Sequence, residues 1–165
     1  MKRAQPMIMG VLLIIAAFIL DMGLGGRLAI RGVRPDITLA ALVPLALAVR
    51  AGPAAGFGLL AGVLEGSFVS LAFGSYAVSR TLAGWVVGLL EERLCRDNMV
   101  VMMLAGVFGS IIEDTTFFVF APQPDLGFYV EAALARAAYA ACLVVPFAWL
   151  VHRLVPPEIP QAHFD

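Results

Sequence analysis

Five ionisable side chains stand out where a charge is least expected, inside long apolar runs: Glu65, Arg80, Glu113, Asp114 and Arg136. Carboxylates and guanidinium groups can move protons, bind a charged ligand or pair with one another. At a bilayer centre each costs roughly 2.5 to 3.5 kcal/mol, so such groups turn toward the bundle interior and meet partners there. Other chemistry is thin. His152 and His163 have no Cys or carboxylate cluster at ligand spacing, so neither a metal nor another cofactor is expected. Cys95 lies beside charged residues and Cys142 within an apolar run, which makes neither a disulfide framework nor a thiolate site. Ser67, Ser70, Ser75, Ser79 and Ser110 have no Gly-x-Ser-x-Gly elbow and no histidine partner, so no nucleophilic enzyme is expected.

The elements that must position these charges follow from composition. Of 165 residues, 61% are hydrophobic and 14% charged, against roughly 45 to 50% and about 25% in a soluble domain. That excess is expected to face lipid, giving an all-α polytopic membrane protein with a single domain over residues 1–155. A net charge of -1 offers no basic face to nucleic acid. Crossing a hydrocarbon layer of about 30 Å takes about 20 apolar residues, and six runs qualify: Pro6 to Met22, Pro35 to Val49, Pro53 to Phe73, Tyr76 to Leu90, Met99 to Phe120 and Phe128 to Val155. The first follows Lys2 and Arg3 as a secretory signal would. No small-x-small cleavage site follows it, so it reads as a membrane helix. The second is short, and Pro44 within it predicts a kink or tilt. The tail 156–165 is expected to be cytoplasmic and disordered. With the N-terminus inside, Lys2, Arg3, Arg50, Arg93, Arg96 and Arg153 are cytoplasmic, against Arg27, Arg31 and Arg34 outside. The Lys/Arg excess therefore places both termini in the cytoplasm.

Helical spacing then orders the charges. Gly58, Gly62 and Gly66 recur every four residues, and Glu65 projects within about 20° of Gly58 at roughly 100° per residue. The acid thus shares the small-residue face on which helices pack closely. Gly106, Ser110 and Glu113 repeat the spacing of Gly58, Gly62 and Glu65, an echo that chance alone can produce. Arg80 shares a face with Gly84 and Gly88, and Arg136 is surrounded by Ala132, Ala133 and Ala140. Counting about 1.5 Å per residue from the helix ends puts the charges roughly 6 to 12 Å below the outer surface. One layer is expected, in which Glu65, Glu113 and Asp114 face Arg80 and Arg136. It can serve to fix helix register, to line a polar cavity for a small ligand or a partner's side chain, or to carry protons or ions.

Between Arg34 and Phe73 the chain resembles the rod shape-determining protein family MreD. The resemblance lies in Arg34-Pro35-Asp36-Ile37 opening the second run, in Gly52-Pro53, and in Gly56-Phe57-x-x-x-x-Gly62-x-x-Glu65, where Glu65 stands in place of the family's usual aspartate. Length and the basic N-terminus agree with it. The resemblance implies a non-enzymatic component of the bacterial elongation machinery in the inner membrane. Such a component associates with the single-pass protein MreC, and through it with the MreB system and the RodA/penicillin-binding-protein peptidoglycan synthase. It also implies a fold similar to the substrate-binding component of energy-coupling-factor transporters. A solute-binding component of a vitamin transporter is the alternative. Such components present an Ala-x-x-x-Ala face on the first helix, whereas here Leu20 follows Ala16 and Asp21 follows Ala17.

Overall fold

The computed structural model describes residues 4–30, 32–69, 73–90, 98–122 and 124–154. Lys2, Arg3, Ser70, Arg93, Cys95, Arg96, His163 and the tail 156–165, on which several expectations rest, lie outside these residues, as does Arg31. Among the described residues there are six helices: α1 (Ala4–Leu24), α2 (Ile37–Ala48), α3 (Ala51–Gly66), α4 (Phe73–Leu89), α5 (Met99–Phe120) and α6 (Leu126–Leu154). Three of them, α1, α5 and α6, are long and apolar enough to cross a membrane. The bundle is all-helical, and it exposes large apolar side chains such as Ile19, Leu104, Val119 and Leu134 over its surface.

The centre of the bundle is α2. Every one of its 12 residues is buried, and it contacts all five other helices. A helix that is apolar all round has no face to give to solvent, and α2 reads Ile-Thr-Leu-Ala-Ala-Leu-Val-Pro-Leu-Ala-Leu-Ala. At about 1.5 Å per residue it rises only about 18 Å, well short of the hydrocarbon thickness. The helix runs on through Pro44.

Around it, α3 and α4 form the most extensive helix pair. Glycine is what permits this closeness. A Cβ on Gly58 would meet the Arg80 carbonyl, one on Gly62 would lie 2.7 Å from the Ala77 Cα, and one on Gly66 would lie 3.0 Å from the Phe73 Cα. From the other side, Gly84 faces the Ala54 carbonyl and Gly88 faces Ala51. The two backbones therefore touch along their length, the arrangement that small residues allow in membranes. Gly106 does the same for α5 and α6, facing Val144 and Ala140.

The third run ends earlier than its apolar length suggests. Helix α3 stops at Gly66, where the Ser67 hydroxyl and amide both bond back to the Val63 carbonyl. Phe73, expected to close the third span, instead opens α4. The apolar residues Phe68 and Val69 lie beyond the helix, so hydropathy alone overran its end.

Packing at these glycines makes one prediction. Gly62→Ala places a methyl against backbone that cannot yield, and is expected to destabilise the detergent-solubilised chain by about 1 to 3 kcal/mol. Gly56→Ala, where a Cβ meets nothing within 4 Å, should leave the thermal unfolding midpoint unchanged or raise it.

Candidate functional site

The expected charge layer has a centre, and it is Arg80. Its side chain, 2% exposed, comes from α4 and meets carboxylates from three other elements. Nη2 lies 2.5 Å from Asp36 Oδ2 and 2.5 Å from Glu65 Oε2, while Nε lies 3.1 Å from Glu113 Oε1. The Glu65 and Glu113 side chains are 9% and 10% exposed, Asp36 17%. One residue thus ties the start of α2, the end of α3 and the middle of α5 to α4.

Local chemistry explains how each acid arrives. Asp36 is the N-cap of α2: its Oδ1 accepts from the Leu39 amide at 2.7 Å while Oδ2 pairs with Arg80. Asp21, in the last turn of α1, accepts from the Ile37 amide at 3.1 Å. Two of the amides that a buried helix start would leave without partners are therefore satisfied by carboxylates, and the positive end of the α2 dipole favours both. Glu65 has no such help. It sits in the last turn of α3, where the helix dipole disfavours an acid, so Arg80 supplies its compensation. Thr38 is fully buried on the first turn of α2.

The second arginine does not join this centre directly. Arg136 Nη2 pairs with Asp114 Oδ1 at 2.7 Å, with the Arg136 side chain 29% exposed. Its guanidinium stands 5.5 Å from the Tyr129 ring centroid, a cation–π position. The Tyr129 hydroxyl donates to the Asp114 carbonyl at 2.6 Å. Ser110 makes a long 3.5 Å contact to Asp114 Oδ2. The three acids and two arginines thus fall into a buried hub on Arg80 and a more open pair on Arg136. They adjoin because Glu113 and Asp114 are neighbours on α5.

Sequence reasoning singled out Glu65, Glu113, Asp114, Arg80 and Arg136, and all five lie in these two clusters. It passed over Asp21 and used Asp36 only as a motif residue. Both stand at the ends of apolar runs, where a charge can reach water and calls for no partner. The available signal was the Pro35-Asp36 step before an unbroken apolar run, an N-cap pattern for a helix with no polar face. The glycine echo also has a spatial meaning: Glu65 and Glu113 approach the same guanidinium from the two helices that flank α4.

Other motif positions divide. Pro35 and Phe57 are buried, and the Phe57 ring occupies the space that a Cβ on Gly10 of α1 would need. Pro53 is half-buried at the start of α3, while Gly52 and Gly56 face outward with nothing near them. Phe117 packs edge-on against Tyr76 and Phe118 against Tyr129, so both are helix contacts.

Several buried polar atoms in the hub have no hydrogen-bond partner: Arg80 Nη1, Glu65 Oε1, Glu113 Oε2 and the Thr38 hydroxyl. The hub therefore braces four helices with incompletely satisfied polar groups. Among the described residues no group of three or more His, Cys, Asp or Glu is disposed to hold a metal ion. No family model, curated protein or solved structure matches the chain.

Removing the guanidinium isolates three acids at once. Arg80→Met is expected to cost about 3 to 5 kcal/mol, the scale for breaking a buried ion pair on one side. Arg136→Met should cost clearly less, because that side chain is 29% exposed against 2% for Arg80. Thermal unfolding in one detergent compares them, and equal losses would contradict the division into a hub and a peripheral pair.

Proposed function

We propose that this chain is a non-enzymatic scaffold of the bacterial elongation machinery, related to MreD. In this reading all six helices lie within the inner membrane, both termini are cytoplasmic, and the fold is of the kind seen in substrate-binding components of energy-coupling-factor transporters. The Arg80 hub lies in the outer half of the bundle. The chain binds an MreC-like single-pass protein through its lipid-facing helices and so supports peptidoglycan synthesis and rod shape.

One observation carries this reading. The resemblance rests on a Pro-Asp step at residues 35–36 and a Gly-Phe-Gly-Glu pattern that begins only at Gly56. Asp36 from the first and Glu65 from the second meet on the same Nη2 of Arg80. Residues that pick out the family in sequence are thus one physical unit, and a unit that sets how α2, α3 and α4 stand together is what a helix-binding scaffold requires. A stabilising role also fits the chemistry: the acids are held by a permanent cation and by a helix start.

Depletion of the chain in its own rod-shaped cell is expected to round rods into spheres, and the chain should co-purify with an MreC-like partner in mild detergent. Rods that persist after depletion, with no partner retained, would remove this reading.

A further inference from the structure

The segment between α1 and α2 has properties that neither the hub nor the scaffold reading uses. Helix α1 has 21 residues, rising about 31 Å, enough to carry the chain across the hydrocarbon and release it at headgroup level. The Gly25 amide bonds to the Asp21 carbonyl, and the Arg27 and Leu28 amides both bond to the Leu24 carbonyl, folding the chain onto the helix end. Ile30 and Val33 then exchange two backbone hydrogen bonds of 3.1 Å each, with Gly32 at φ 83°. The described residues of this segment are thus held by backbone hydrogen bonds beside the end of α1.

Its side chains are of two kinds. Leu28 is 47% exposed and Ile30 63% exposed. Arg27 and Arg34 are also exposed, and neither forms an ion pair among the described residues, although Arg34 feels the field of Asp21. Apolar side chains that can enter lipid, beside guanidinium groups with no protein partner, match an anionic interface in both hydrophobicity and charge. Arginine is also suited to phosphate, which it can grip with two parallel N–H bonds. The same residues work against the charge bias expected of an outer loop, and a compensating anion in the membrane accounts for their presence.

We propose that Arg27, Leu28, Ile30 and Arg34 form a lipid-binding element: Leu28 and Ile30 insert into the leaflet at this end of the bundle, and Arg27 and Arg34 bind the phosphates of anionic phospholipids. Its effect is to hold the start of α2, and with it Asp36, at a fixed depth.

The full chain, carrying Ile30→Trp with Trp85→Phe and Trp149→Phe, is reconstituted in nanodiscs of mixed phosphatidylglycerol and phosphatidylcholine. Either lipid is supplied with bromines on the upper acyl chain, and quenching of the single tryptophan is read. Brominated phosphatidylglycerol is expected to quench more strongly, reflecting a local enrichment of roughly fivefold for each arginine. Arg27→Gln with Arg34→Gln should abolish the preference while quenching itself persists. Arg50→Gln, at an exposed position before α3, should leave the preference intact. Equal quenching by the two lipids, or tryptophan emission typical of water with no quenching, would overturn the proposal. So would a preference that survives the double substitution, or one that inorganic phosphate in the buffer removes, since the latter marks a site for free anions.

Discussion

A guanidinium buried among helices must be answered by carboxylates, and the position of those carboxylates then dictates where the helices stand. Arg80 is the largest of the fully buried side chains. It cannot shed its charge, because arginine stays protonated in proteins. Withdrawal from water therefore has to be offset by attraction and hydrogen bonding, and only close, directional partners suffice. The three acids it draws in come from three separate elements. Dispersion forces between apolar helices are nearly indifferent to rotation or sliding in a solvent as apolar as themselves. The ion-paired hub is not indifferent, and it selects one register.

That selection depends in turn on close backbone approach. Glycines on α3 and α4 bring the two helices into direct contact, which leaves Arg80 within reach of Glu65 across the shared seam. The short, wholly buried α2 completes the arrangement by presenting its amide-rich start to Asp36 and Asp21. Asp36 is the residue at which the start of α2 and the hub meet.

Much of this was legible in the chain because it follows from local period. Six apolar runs, the four-residue recurrence of Gly58, Gly62 and Gly66, and the presence of Glu65 on that stripe need only helical geometry. What escaped was tertiary. Which acid meets which arginine depends on the order of helices around α2, and no spacing within one helix encodes that order, so the division of the five charges between Arg80 and Arg136 was not legible. Asp36 escaped because a single carboxylate caps its own helix and pairs with another. Each role is common, but their combination is visible only when α4 is in place. The end of α3 escaped for a simpler reason. Hydropathy continues through Phe68, whereas the backbone turns at Ser67 when its hydroxyl and amide close on Val63.

A double-mutant cycle between Arg80→Met and Glu113→Gln tests the hub most directly, because these residues reach each other from α4 and α5. Unfolding free energies of the four proteins are compared in one detergent. A true hub makes the second substitution far less damaging once the first is present, with a coupling of at least about 1 kcal/mol, in the range of residues in contact. Losses that add to within about 0.5 kcal/mol would show that the two side chains do not depend on each other, and would contradict the account.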